Sequence, residues 1–339
     1  MAVAPPRGQR FYTNKPVGSE SQFNPFSLVV NGGFDQLRTA SANRHVFELD
    51  YELAAKGAWL SITRPDRVLK TYGYERFVKR QLLPLTGKTS GGGQWVPNYQ
   101  MHLLGGGMTG VRLTEWYQQH GSSHPEFAAA GTLTAWHLLT EMIEHSNGVP
   151  SADAVADLLI FDPAAFLIFR NDRVQRTFST HIEMTNWSGQ PSITAPTSTI
   201  QNMQQTTMLR AQTPWSNSYR PMTTFGGAFL LGVSGRKGAT DWVSIAAGWD
   251  PTENPIIDPV TGERTVTLNP NLGLFYDRDG SLLGSMHIRM NRRELIVMNV
   301  YPGVVHFGKW SPGMYAHILD NGRFRFGIVP KWGLGLGVE

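Results

Sequence analysis

Glycine occupies every second position between Trp332 and Val338, so Gly333, Gly335 and Gly337 alternate with Trp332, Leu334, Leu336 and Val338. A period of two puts the apolar side chains on one face of a strand and leaves the other face bare. Glycine weakens a strand interior, and repeating it there suits a sheet that bends sharply or admits another group against its backbone. The pattern predicts the last strand of a curved or closed sheet, its glycines on the concave side and its apolar row facing outward. A sandwich that buries the apolar row and leaves the glycines in solvent is the alternative.

The same period recurs through the carboxy-terminal half. "RTFSTHIEM" sets Phe178, Thr180, Ile182 and Met184 against Thr177, Ser179, His181 and Glu183. "DWVSIAAGW" sets Val243, Ile245, Ala247 and Trp249 against Trp242, Ser244, Ala246 and Gly248. "SLLGSMHIRM" and "GRFRFGI" alternate likewise, and Asp279-Gly280 and Asn321-Gly322 between such runs are hairpin signals. About ten strands with short connections imply an antiparallel meander.

Upstream, "SLVVNGGFDQL" (27–37) and "HVFELDYEL" (45–53) read as strands, and residues 66–82 as an amphipathic helix that Asp66 would cap. Residues 98–170 follow the helical period: one helix over 98–119, a second from Ser123 to Asn147-Gly148, a third from Ser151, then Asp162-Pro163 as a further cap. The expected class is α+β, an antiparallel β-meander forming a curved or closed barrel-like sheet of about ten strands, with a helical insert. Its divisions are a polar N-terminal arm (1–26), N-terminal strands and helix (27–97), the helical insert (98–170) and the barrel-like domain (171–339).

Composition removes several chemistries. With no cysteine, the chain has no disulfide, thiolate nucleophile or Cys-based zinc site. Its formal charge of +4 is scattered, without a basic arm or interleaved aromatics, so nucleic acid is not an expected partner. Gly-Lys-Thr at 87–89 lacks the upstream glycine of a phosphate loop, so no nucleotide is expected either. Charged residues are only 17% of the chain, against about 25% in an ordinary soluble domain. The quoted strands keep one face free of charge, as contact with lipid requires. Trp95, Trp136, Trp187, Trp215 and Trp310 are the candidates for a membrane interface or for ordinary packing. The first 26 residues lack the apolar core of a secretory signal; either the protein stays inside or a signal was removed.

The helical insert carries the most specific pattern, in "NYQMHLLGGGMTG", "RLTEWYQQHG" and "AWHLLTEMIEHSNGVPSADAVADLLIFDP". Asn98, His102, Gly106, Arg112, Trp136, Glu141, Glu144, Pro150, Ser151, Asp157 and Leu158 resemble the signature of a bacterial family, domain of unknown function 3943. The resemblance covers about a third of the chain. No proline follows His102, and Phe169-Arg170 stands where the family often has Gly-Glu. The resemblance implies a bacterial cell-envelope location, at the outer membrane or its periplasmic side, with no signal peptide in this chain. It implies no established activity.

His137, Glu141, Glu144 and His145 form one polar stripe on an otherwise apolar helix, and His102, Arg112, Glu115 and Asp157 lie within reach by pattern. The stripe has three readings: a solvent-exposed face, a polar lock pairing Arg112 with Glu141 or Glu144, or a centre that binds metal or moves protons. His287 and Arg289 share a strand face and are expected at the surface. The first functional expectation is a non-enzymatic envelope protein, structural or lipid-binding, that needs no cofactor and has membrane lipid as its partner. An accessory subunit of a larger membrane protein complex, and a metal-dependent enzyme built on the stripe, are the alternatives.

Overall fold

The bare face of the last strand houses an aromatic ring. In the computed structural model, Tyr315, Gly327 and Gly337 sit side by side on three neighbouring strands. A Cβ on Gly327 would lie 2.3 Å from the Tyr315 ring, and one on Gly337 would lie 2.4 Å from its hydroxyl. Only glycine lets the tyrosine lie flat across both strands, and its hydroxyl then reaches Ser192. The glycines are accordingly buried, while Leu336 is 73% exposed.

The structure describes residues 10–39, 45–84, 95–144, 147–195, 197–257 and 264–339. Among the described residues ten α-helices come first: α1 Pro25–Gly33, α2 Gln36–Thr39, α3 Tyr51–Thr63, α4 Pro65–Tyr72, α5 Tyr74–Phe77, α6 Gly107–Gln119, α7 Pro125–Glu144, α8 Ala152–Ala156, α9 Asp162–Phe169 and α10 Asp172–Arg176. Strands follow: β1 Ile182–Asn186, β2 Ser192–Ala195, β3 Thr199–Gln201, β4 Thr206–Ala211, β5 Tyr219–Gly226, β6 Phe229–Arg236 and β7 Asp241–Ile257. The remainder are β8 Arg264–Arg278, β9 Ser281–Arg289, β10 Glu294–Val300, β11 Gly313–Leu319, β12 Phe324–Val329 and β13 Gly335–Val338.

All 13 described strands belong to one sheet, in the order β1-β4-β5-β6-β7-β8-β9-β10-β11-β12-β13-β2-β3. The run from β4 to β13 is the expected meander, and the β13–β2 pair alone is parallel. Asp279 and Gly280 take positive φ of 49° and 80° in the β8–β9 turn, as a tight hairpin demands. The ladder does not close among the described residues. Its two ends nevertheless belong to one bent hairpin, because Trp187 N–H donates to Thr206 and Gly189 N–H to Gln204, continuing the β1–β4 pairing toward β2 and β3. One half of that hairpin pairs with β5 and the other with β13, so the strands between them curve.

The buried face of this sheet mixes an apolar cluster (Met208, Met222, Leu230, Phe275, Leu282) with polar groups, while apolar side chains line the exposed face. On β7 the buried face carries Ser244, Ala246 and Asp250, while Val243, Ile245 and Trp249 are exposed. On β12 Arg325 is buried and Phe326 is 56% exposed. Asn271, Asp277, His287, Arg289, Asn299 and His317 continue the buried polar face. These groups bond one another: Arg210 lies between Glu183 (2.8 Å) and Asp277 (2.9 Å), and Arg325 bonds Gln201 at 2.9 Å. The surface expectation for His287 and Arg289 is therefore corrected. Sheet curvature turns their shared face inward, where Arg289 meets Gln204 at 2.7 Å.

Several local expectations upstream are also corrected. Residues 27–37 fall in α1, a turn at Phe34-Asp35 and the start of α2, not in a strand: Asn24 and Ser27 form a reciprocal capping box and Pro25 opens α1, which outweighs the β preference of Val29-Val30. In 45–53, Asp50 caps α3 by accepting from Leu53 N–H at 2.9 Å, leaving only His45 bridged to Thr199. The helix over 66–82 starts at Pro65 and breaks at Gly73, whose φ is 97°. Residues 177–181 form a wide π-type turn, so the alternation of "RTFSTHIEM" becomes a strand only from Ile182.

The helix over 98–119 is present, entered through a π-type segment, Trp95–Gly106. Its glycines allow close packing: a Cβ on Gly107 would lie 2.2 Å from the Phe169 ring. The polar N-terminal arm is docked from residue 10. Ser281 Oγ donates to Val17 C=O (2.7 Å), and Asn31 Nδ2 donates to Gly189 C=O (3.0 Å). Residues 1–9, 40–44, 85–94, 145–146, 196 and 258–263 lie outside the described residues, and with them Gly-Lys-Thr 87–89 and His145.

The burial of His287 has a consequence for acid stability. Burial first, then the neighbouring Arg289, lowers its pKa to about 3, while Asp250 opposes the shift. Unfolded, the ring would titrate near its usual value of about 6.5. Stability from this group is complete above that value and falls as pH drops toward the folded pKa, by up to about 1.4 kcal/mol per pH unit. Urea midpoints measured from pH 7 to pH 4 should fall less steeply for His287→Gln than for the unaltered protein. Parallel curves would contradict this assignment.

Candidate functional site

The helical layer gathers five titratable side chains from separate segments. His102 comes from the π-type segment before α6, and His137 and Glu141 come from one face of α7. Asp157 opens a π-type turn, Asp157–Phe161, and Asp162 is the first residue of α9. Wide turns of this kind are frequent at functional sites because they re-aim side chains that a regular helix would spread. His102, His137, Asp157 and Glu141 are buried, and Asp162 is nearly so.

Asp162 stands at the centre. Its Oδ1 lies 2.9 Å from His102 Nδ1 and its Oδ2 lies 2.5 Å from His137 Nδ1. The second nitrogen of His102, Nε2, is 3.2 Å from Asp157 Oδ2. The two imidazoles meet edge to face, with ring centroids 4.7 Å apart. Burial works against a charge on His102, but Asp157 and Asp162 override it and push its pKa up to about 10. Both nitrogens of His102 face carboxylates, so the ring either donates to each as an imidazolium or gives up one proton and offers that nitrogen as a ligand. Burial likewise opposes the charge of Asp162, yet His137 and His102 hold its pKa well below the usual carboxylate range. Asp157 goes the other way: burial dominates, and the attraction of His102 offsets only part of it.

The sequence reading placed His102, His137, Glu141 and Asp157 in one group, and the fold brings these four together. It missed Asp162. Asp-Pro reads as a helix cap, but Asp162 has helical torsions (φ −64°, ψ −48°) and turns its carboxylate inward. The only sequence signal for this was an acidic residue inside a run that continues helical on both sides.

The other stripe residues go elsewhere. Arg112 does not take the expected role of pairing α6 with α7: its partner is Glu20, at 2.7 Å, and its guanidinium lies 3.7 Å from the centre of the Phe23 ring. Glu115 accepts from the backbone amides of Arg10 (2.7 Å), Phe11 (2.9 Å) and Tyr12 (2.6 Å). These two residues thus fasten the N-terminal segment to α6. Glu144 accepts from Gln36 Nε2 at 3.0 Å, which ties α2 to α7.

A second polar cluster sits on the concave face of the sheet. Asp250 receives Arg38 at 2.8 Å, with Arg289 Nε 3.1 Å and Arg292 Nε 3.9 Å away as ion pairs without hydrogen-bond alignment. Burial opposes the Asp250 charge, but Arg289, Arg38 and Arg292 together lower its pKa. Arg292 also donates to the Arg38 carbonyl at 3.0 Å. The cluster joins the N-terminal segment to β7 and β9.

Comparison of the chain with protein-family profiles, with curated proteins and with solved structures finds no match.

Proposed function

We propose that the chain is a non-enzymatic protein of the bacterial cell envelope whose curved sheet is a barrel-like wall set in lipid. The carrying observation is the exposed apolar row of the sheet, with Val243, Ile245, Trp249, Phe326 and Leu336, over a buried face that carries arginine, aspartate, asparagine and histidine beside its apolar cluster. In water that arrangement wastes apolar burial, whereas in a bilayer it satisfies both sides. The helical signature described above supports the envelope location by resemblance. β7, β8 and β9, with 17, 15 and 9 residues, reach the length that a tilted strand needs to span, about 9–11 residues. The shorter β11, β12 and β13 would draw the bilayer thinner beside them. No helix among the described residues is long and apolar enough to cross a membrane.

Exposed side chains on the helical layer, Phe127 at 81% and Trp59 at 65%, favour a second reading in which that layer docks on a membrane protein complex.

Reconstitution tests the first reading. In vesicles containing brominated acyl chains, the exposed Trp249 should be quenched while the buried Trp187 and Trp136 persist, leaving partial quenching that survives a carbonate wash. A folded chain that stays monodisperse without detergent and shows no quenching would overturn it.

A further inference from the structure

We propose that His102, His137 and Asp162, with Asp157 beside them, form a divalent-metal site of zinc type within the helical layer. Among the described residues, one donor atom each from His102, His137 and Asp162 lies within 4.8 Å of the others. A second observation points to a cation. Asp157 is 2% exposed, its Oδ2 faces His102, and its Oδ1 has no hydrogen-bond partner. A buried carboxylate oxygen without a partner is costly unless a charge neutralises it.

The charge balance points the same way. Three carboxylates, Asp157, Asp162 and Glu141, share one interior with two imidazoles. Imidazole nitrogen with carboxylate oxygen is a donor set suited to zinc and its borderline neighbours, rather than to calcium or magnesium, which take oxygen donors. With Asp157, now 3.2 Å from His102, turning in as a fourth donor beside these three, the buried centre would be closed, which is structural rather than catalytic. The ion would clasp the π-type segment, α7 and the α8–α9 junction, the three pieces whose meeting forms the layer.

The test uses the full chain without an affinity tag, treated with chelator, desalted and titrated with zinc chloride. One zinc per chain and a thermal midpoint that climbs with zinc concentration are expected. The X-ray absorption edge should show imidazole scattering with nitrogen or oxygen ligands at about 2.0–2.1 Å. Asp162→Asn and His102→Gln should each weaken zinc binding at least tenfold. His124→Ala, which alters an exposed histidine, should leave it unchanged. Should either site variant fail to fold, stoichiometry and the absorption edge of the unaltered protein decide. Wild-type protein that is folded by circular dichroism yet holds no stoichiometric zinc overturns the proposal and leaves a proton-held lock. So does zinc without imidazole scattering.

Discussion

Replacing Asp250 with alanine should cost about 3–5 kcal/mol of stability, the range for breaking a buried ion pair by removing one partner. The carboxylate is fully buried and is the shared counter-charge of Arg38, Arg289 and Arg292. Without it, three guanidiniums face one another in a space that water does not reach freely. Their mutual repulsion adds to the desolvation each already bears; burial holds the Arg292 pKa down to about 10 even with Asp250 present. Arg38 belongs to the N-terminal segment, so that segment should loosen from the concave face before the sheet itself opens. Denaturant midpoints measure the loss, and limited proteolysis within residues 10–39 should detect the release. A loss below about 1 kcal/mol would mean that the arginines find other partners. Adding Arg292→Met to the alanine variant should recover part of the loss, because one of the stranded charges is then gone, whereas Arg38 keeps Asp35 at 3.1 Å.

Ile245→Lys should separate lipid from water as the surroundings of the convex face. Ile245 lies on β7 opposite the middle of β6, paired with Val233 and Leu274, and is 50% exposed. Against acyl chains, a lysine at mid-depth costs about 2–4 kcal/mol. Against water, the same change at an exposed position is worth within about 0.5 kcal/mol. Folding titrations in vesicles should therefore show a large loss for Ile245→Lys and a smaller one for Trp332→Lys, which lies beyond the strand end. Equal and negligible effects would remove the lipid wall from consideration. Ser244→Lys is not a useful control, since Ser244 is buried against Ser234 at 2.7 Å.

Much of the sheet was legible because its information is local. Alternation in "DWVSIAAGW" and "GRFRFGI" assigns every side chain to a face once the chain is extended, and Asp-Gly accepts the positive torsions that reverse it. Even the glycine-backed strand was readable as a concave position, although Tyr315 as its occupant was not. The errors fall where two local signals competed. Val29-Val30 and the alternation of 45–53 favour strands, but Asn24, Pro25 and Asp50 begin helices. Period is ambiguous over so short a run, and a helix start satisfies backbone donors at once.

The candidate site divides in the same way. His137 and Glu141 share a helix face by spacing alone, so their proximity needed no tertiary information. Asp162 and His102 are 60 residues apart, and Arg38 and Asp250 are 212 apart. The sequence by itself therefore determined which segments extend, which coil, and which face of each is apolar, since backbone torsions and side-chain periods act over a few residues. Only the tertiary structure decided which charge meets which, that His287 and Arg289 turn inward, and that Asp162 serves two histidines instead of capping a helix. Ion pairs follow distance in space, and distance in space is set by the curvature of the whole sheet and the packing of the helices upon it.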